Sequence, residues 1–268
     1  MIHPDFQYGE NQHKHYQESG FHFFDHFLTA DALEECRTRT IQIVARIRPE
    51  GSPEEIINAH QCGESWIYEL ATQPKVLDMI ECQIGPNIVL WSSHLLCKQP
   101  QTGRLVPWHQ DAPYWNVKGN MPASLWIPLD DVDAENGAMS VLPGWHNKGT
   151  LARVKTGENL FSEEIDPVAL PENIDKIKVS YFLKAGQCAI HHTMMPHNSP
   201  PNKSNRWRRV LVLRYMAADG EMGEKVYTNF QTGEQFNREY YLVRGIDVAG
   251  RGLERCPEGV RSVSVLTA

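Results

Sequence analysis

Read for the spacing of its apolar residues, the chain changes texture near residue 87. Upstream, Leu33, Cys36, Thr40, Val44 and Ile47 recur at helical intervals and would line one face of a helix. Thr29 serves as its N-cap, Asp31 suits the positive end of its dipole, and it should end near Arg48-Pro49. Ser52-Pro53-Glu54-Glu55 combines an S-x-x-E capping box with proline at the first helical position, which predicts a second helix. Val76, Leu77, Ile80 and Ile84 predict a third from about Pro74, stopped at Gly85-Pro86.

Beyond Asn87 the apolar runs shorten and take on β character: IVLWSSHLLCK, ASLWIPL, AMSVLP, KVSYFL, QCAIHH and RRVLVLRYM. Turn signals such as Glu135-Asn136-Gly137 and Pro143-Gly144 separate them. Several short strands with variable connections and no alternating helices predict a mostly β protein with flanking α-helices, its core a double-stranded β-helix of the jelly-roll or cupin-like kind. The expected layout is a single domain: a helical flank over about 20–86, the β core over 87–217 and a C-terminal extension over 218–268. The longest connection, about 147–177, is polar and reads as a surface excursion or a lid.

With 268 residues, 41% of them hydrophobic, the chain can bury one sizeable core. A formal net charge of −7 gives no basic field to attract nucleic acid or anionic lipid, so the expected partner is a small molecule. No apolar run approaches a membrane span and the amino terminus lacks a signal-peptide layout, so a soluble, cytoplasmic protein is expected. The six cysteines show no C-x-x-C pairing, neither a disulfide framework nor a zinc ribbon. Oligomeric state is not legible.

The candidate chemistry begins in VPWHQDAPYW, where His109 and Asp111 lie two apart. Residues i and i+2 of a strand share a face, so the two could meet one ion. A further histidine would complete a set of two imidazoles and one carboxylate, the arrangement that suits non-haem Fe(II) and leaves open positions. His191, His192 and His197 are the candidates; neighbours on a strand face opposite ways, so His191 and His192 cannot both contribute. His197, followed by Asn198-Ser199-Pro200-Pro201, sits where the chain must turn at a rim. Arg208 opens an alternating strand in which Arg208, Val210, Val212 and Arg214 share one face, and a guanidinium facing an interior is costly unless an anion meets it. Arg206 and Arg209 read as solvated surface charges, and His146 and the His13-Lys14-His15 run as structural or exposed.

Three motifs then act together: W-H-Q-D at 108–111, E-N-G-x-M-x-V-L-P-G at 135–144, and H-N-S-P-P-N-K-S followed by R-W-R-R. In this order and spacing, over about residues 20–217, the chain resembles the phytanoyl-CoA dioxygenase family of Fe(II)- and 2-oxoglutarate-dependent oxygenases. The resemblance implies His109, Asp111 and His197 as iron ligands, Arg208 as partner of the distal carboxylate of 2-oxoglutarate, and Ser199 as a hydroxyl donor to it. Trp126, and His94 or Lys98, match positions lining the cosubstrate pocket. The implied reaction consumes O2 and 2-oxoglutarate, with ascorbate as a supporting reductant, and hydroxylates a small molecule with release of succinate and CO2. Related halogenases carry a small residue in place of the ligand carboxylate, so Asp111 points to hydroxylation. The competing readings are a cupin-type hydrolase or isomerase using Zn(II) or Mn(II) without 2-oxoglutarate, for which Arg208 would be dispensable, and a non-catalytic jelly-roll binding protein.

Overall fold

The computed structural model describes residues 1–115, 117–119, 124–156 and 162–257. The end of the expected C-terminal extension and the middle of the 147–177 connection fall outside the described residues. Two antiparallel sheets dominate. The larger is built from β1 (Phe21–Phe24), β2 (Ile56–Ile57), β3 (Ile88–Lys98), β5 (Ser124–Pro128), β8 (Cys188–His191), β10 (Arg208–Ala217) and β11 (Tyr241–Arg244). The smaller holds β4 (Val106–His109), β6 (Ser140–Val141), β7 (Val179–Ser180) and β9 (His197–Ser199). Their strand orders are β1-β8-β5-β10-β3-β11, with β2 also on β3, and β7-β6-β9-β4.

The strand alternation of β10 decides the layering. Leu211, Leu213 and Tyr215 join the core formed with the helices, together with Leu95 and Cys97 of β3 and Leu125 and Ile127 of β5. Val210 and Val212 face the other way and pack with Trp126, Val141 and Tyr181. The helices α1 (Glu10–Ser19), α2 (Ala30–Ala45), α3 (Ser65–Ala71) and α4 (Pro74–Ile84) thus cover one face of the larger sheet, leaving its opposite face for the site.

Two expected helices form as read. Thr29 caps α2 by accepting from the Ala32 amide, and α4 runs from Pro74 to Ile84 with Gly85 at its C-cap. The Ser52 helix does not form. The capping signal instead makes a turn, with the Ser52 hydroxyl accepting from the Glu54 amide at 3.2 Å, and Pro53 O accepting from the Cys97 amide at 2.9 Å. Ile56 and Ile57 then pair with Leu95 and His94. Pairing on the open edge of β3 outweighs local helix propensity there. The flank and extension boundaries are also looser than expected, since β1, β2 and β11 all join the larger sheet. Helix α1 went unread because its only buried side chain is Tyr16.

Arg209 is a correction. The outer face of β10 lies beneath the helices, so its guanidinium is not solvated. It makes a two-pronged ion pair with Asp130 at 2.8 and 2.7 Å, and both side chains are largely buried. Arg206 does lie at the surface, paired with Asp133. All six cysteines are free.

Candidate metal centre

Facing positions on two adjacent strands of the smaller sheet carry the two imidazoles: His197 on β9 is the register partner of His109 on the edge strand β4. Their ring centroids are 4.0 Å apart. Each is aimed the same way. His109 Nδ1–H donates to Pro107 O at 2.8 Å, and His197 Nδ1–H to Met195 O at 2.9 Å. The carbonyls can only accept, so Nδ1 of each ring carries the hydrogen and Nε2 of each is the nitrogen turned toward the other groups. Burial, with His109 close by, lowers the His197 pKa well below the usual histidine value, keeping it neutral and able to coordinate.

Asp111 reaches the same point by a different route from the one its spacing suggests. Strand β4 stops at His109, and Asp111 has φ −68° and ψ −49°, opening a short 3-10 turn over Ala112–Tyr114. Its Oδ1 lies 3.5 Å from His109 Nε2 and 3.9 Å from His197 Nε2. Among the described residues, these three form the group that could hold a metal ion, with one ligand atom from each within 4.8 Å of the others. Burial alone would raise the carboxyl pKa, but Arg214, His109 and His197 hold it well below the ordinary carboxylate range. It is therefore an anion at neutral pH. Arg214 Nη2 stands 3.5 Å from Asp111 Oδ2.

Gln110, between two of these residues, fixes the turn. Its buried amide donates to Gly149 O at 2.8 Å and Met194 O at 2.9 Å and accepts from the Leu151 amide at 2.9 Å. The Ala112 amide adds a bond to Thr193 O. Gln110→Ala is expected to lower metal affinity by roughly ten- to a hundredfold, the usual cost of losing an orienting partner. A competitive chelator titration measures this, and unchanged affinity would show that backbone alone sets the turn.

A cavity of about 140 Å3 opens between the sheets, with the His/Asp/His group on its wall. The larger sheet contributes successive rungs: Arg208 opposite Lys98, then Val210 opposite Leu96, then Val212 between Trp126 and His94, and last Arg214 between Ser124 and Ser92. Arg208 is 3% exposed, its Nε is buried without a hydrogen-bond partner, and among the described residues no carboxylate lies within 4.0 Å of it. Burial pushes its pKa down to about 10, so it stays charged. Asp130, the nearby acid, is held by Arg209.

The other expected pocket residues divide. Trp126 and His94 line the cavity, His94 with Nε2–H donating to Glu54 O at 3.1 Å and its pKa lowered to about 3 by burial and Arg214. Lys98 also lines it, but its ammonium donates to three carbonyls, Arg104 O, Ser199 O and Pro200 O, at 2.7, 3.0 and 2.5 Å. Its three N–H bonds are thereby used in tying the 199–200 turn to β3. Ser199 directs its hydroxyl to Gly137 O at 2.8 Å rather than into the cavity. Gly137 has φ +85°, and a Cβ there would lie 2.5 Å from Pro200 O, so the E-N-G motif needs glycine for the turn and for close approach of the Ser199 segment.

His191 is buried with its ring 5.2 Å from that of His197 and neutral, its pKa pushed down to about 4 by burial. The His192 ring lies tilted against His146, whose Nε2–H donates to Gln17 O. Neither His192 nor His146 belongs to the metal group. Tyr114 donates to Glu163 O and Trp115 packs on Trp91, so both serve the surrounding wall. The residues that sequence reasoning missed are Gln110 and Arg214. Arg214 was readable, since it shares a strand face with Arg208.

Comparison with known proteins agrees with this arrangement. Residues 16–210 match the phytanoyl-CoA dioxygenase (PhyH) family. A probable alpha-ketoglutarate-dependent hypophosphite dioxygenase of Stutzerimonas stutzeri is 34% identical over 157 residues, covering 57% of this chain and 54% of that protein, about half its length. The peroxisomal phytanoyl-CoA dioxygenase of Rattus norvegicus is 24% identical, covering 78% of this chain and 68% of that one. Among solved structures, the non-heme monooxygenase ThoJ in its apo form superposes with a TM-score of 0.71 at 27% identity, over 94% of this chain and 93% of that one. The match spans the His/Asp/His group and Arg208 alike: the chain belongs to the phytanoyl-CoA dioxygenase family of iron- and 2-oxoglutarate-dependent oxygenases.

Proposed function

We propose that this protein hydroxylates a small molecule, using Fe(II) held by His109, Asp111 and His197 and 2-oxoglutarate held by Arg208. The carrying observation is a buried guanidinium that, among the described residues, has no carboxylate within 4.0 Å, in the same cavity as a buried His/Asp/His group. A buried cation left unpaired is costly, and a dicarboxylate supplies the missing anion in a planar, two-pronged form that arginine matches better than lysine. The donor set fits the metal equally well: two imidazoles, each held through Nδ1 by a backbone carbonyl, and one carboxylate on a single side. We read the two antiparallel sheets as a jelly-roll core within one domain, as in the family.

When bound, iron and 2-oxoglutarate supply the oxidising chemistry, which yields succinate, CO2 and an oxidised substrate. The chain's own residues bind and orient. Arg208 anchors the distal carboxylate at one end of the cavity, Leu96 on the next rung gives that end an apolar wall, and Trp126 lines the cavity further along. Lys98 acts on the cosubstrate indirectly, by holding the 199–200 turn beside Arg208. Ser199 takes up its donor role only by turning away from Gly137 O.

The test is anaerobic loading with Fe(II) and 2-oxoglutarate. A weak visible metal-to-ligand absorption band and slow succinate release on admitting air are expected. A metal-loaded protein that shows neither, and whose activity on any ester or amide survives Arg208→Ala, would instead be a hydrolase.

A further inference from the structure

Because Asp111 reaches the metal group from a turn, strand geometry does not decide which of its two oxygens faces the imidazoles. The backbone of that turn is held on one side through Gln110 and the Ala112 amide. On the cavity side it is met by Arg214, a side chain of the larger sheet, whose guanidinium touches both ends of the turn. Nη2 lies 3.5 Å from Asp111 Oδ2 at the start, and the guanidinium stands 4.9 Å over the Trp115 ring at the end. Trp115 is backed edge-on by Trp91 at 4.6 Å. Trp91 comes from a bulge in β3, where Arg214 pairs with Ser92 while Tyr215 pairs with Leu90, leaving Trp91 as the extra residue.

Arg214 lines the same cavity as the metal group and its side chain is largely buried. Its Nε is buried without a hydrogen-bond partner, and among the described residues Asp111 supplies the carboxylate within 4.0 Å of it. The guanidinium therefore spans the two sheets, from its rung between Ser124 and Ser92 to the turn that carries the ligand carboxylate. The two oxygens of Asp111 are thereby given different duties: Oδ2 faces Arg214, while Oδ1 lies 3.5 and 3.9 Å from the Nε2 atoms of His109 and His197. A carboxylate free to rotate can give both oxygens to one ion, filling a position that the reactants would otherwise occupy.

We propose that Arg214 is a positioning residue of the metal centre: by engaging Asp111 Oδ2 and the Trp115 ring together, it presents Oδ1 alone to the ion and keeps Oδ2 away from it. This rests on the reading of His109, Asp111 and His197 as metal ligands, and not on the identity of the cosubstrate. Arginine suits the task because a guanidinium can donate to a carboxylate while it lies against an aromatic ring. Arg208, six residues away on the same strand, has no part in this, so metal geometry and cosubstrate anchoring are served by separate cations of one strand face.

Co(II) is the probe, titrated into the metal-free protein and followed by its visible absorption, whose intensity falls as the coordination number rises. Arg214→Met should weaken Co(II) binding roughly ten- to a hundredfold and dim the cobalt bands as the second carboxylate oxygen joins the ion. Arg214→Lys, which keeps the charge without the planar fork, should weaken binding by about threefold and restore the parental spectrum. Trp115→Leu, which keeps the arginine but removes the ring that seats it, should weaken binding by about threefold and dim the bands in part. In all three the KM for 2-oxoglutarate should stay within about twofold of the parent while kcat falls. Parental cobalt affinity and spectrum in Arg214→Met, even with a lower melting temperature, overturns the proposal and leaves Arg214 a structural residue. Should that variant fail to fold, parental affinity and spectrum in Trp115→Leu overturns it instead. A protein that binds Co(II) in this Arg214-dependent way but shows no metal-to-ligand band with Fe(II) and 2-oxoglutarate keeps the positioning role and removes the oxygenase reading; a parent protein that binds no Co(II) removes both.

Discussion

Replacing Arg208 by leucine is expected to raise the KM for 2-oxoglutarate more than a hundredfold while leaving the ligand-free protein at least as stable as the parent. The two effects have one cause. The guanidinium is buried, its Nε lacks a partner, and no carboxylate among the described residues neutralises it. With cosubstrate bound, a two-pronged charge-assisted contact contributes about 3 kcal/mol, which is more than two orders of magnitude in affinity. Without it, the same group only bears its desolvation, so a shorter apolar side chain in its place removes that cost. Removing this charge also relieves Lys98, whose pKa is pushed down by burial and by Arg208. Steady-state kinetics in 2-oxoglutarate and a thermal melt of the ligand-free protein give both readings. A melting temperature several degrees lower, with KM unchanged, would show Arg208 to be a structural residue and remove the cosubstrate assignment.

Asp111→Ala should act in the opposite sense on stability. Iron retained after desalting is expected to fall to a trace and succinate formation by roughly a thousandfold, because two imidazoles alone make a weak, poorly oriented site. The ligand-free protein should also melt lower, by an amount corresponding to about 1–3 kcal/mol, since Arg214 loses the Asp111 carboxylate it faces. Iron content by a colorimetric assay and the same thermal melt test this. Full iron occupancy in the variant would mean that the metal sits elsewhere.

The two faces of β10 were legible from the alternation of its residues, although burial does not alternate along it because both faces are covered. The long helices were legible through caps and periodicity, as at Thr29 and Pro74. What escaped depended on long-range pairing. Ser52-Pro53-Glu54-Glu55 has every local mark of a helix start, yet the edge of β3 draws Ile56 and Ile57 into a strand. The metal group was legible for a partly mistaken reason: Asp111 arrives through a turn held by Gln110, not through strand alternation. Arg209 looked solvated because a single strand does not reveal that helices cover its outer face. Lys98 was named because it matches a cosubstrate-pocket position of the family it resembles, but the carbonyls that occupy its ammonium come from segments 6 and about 100 residues away.

Arg208 and Arg214 stand on one face of one unbroken strand, with the metal group between the sheets alongside it. That makes β10 a gauge. Its interval is six residues, roughly 20 Å of backbone, and a single insertion would turn one guanidinium toward the helices while the other stayed put. Relatives that adapt to longer or shorter reactants by altering this strand must therefore do so in pairs of residues, in increments of about 7 Å, whereas finer adjustment has to come from side chains on the loops.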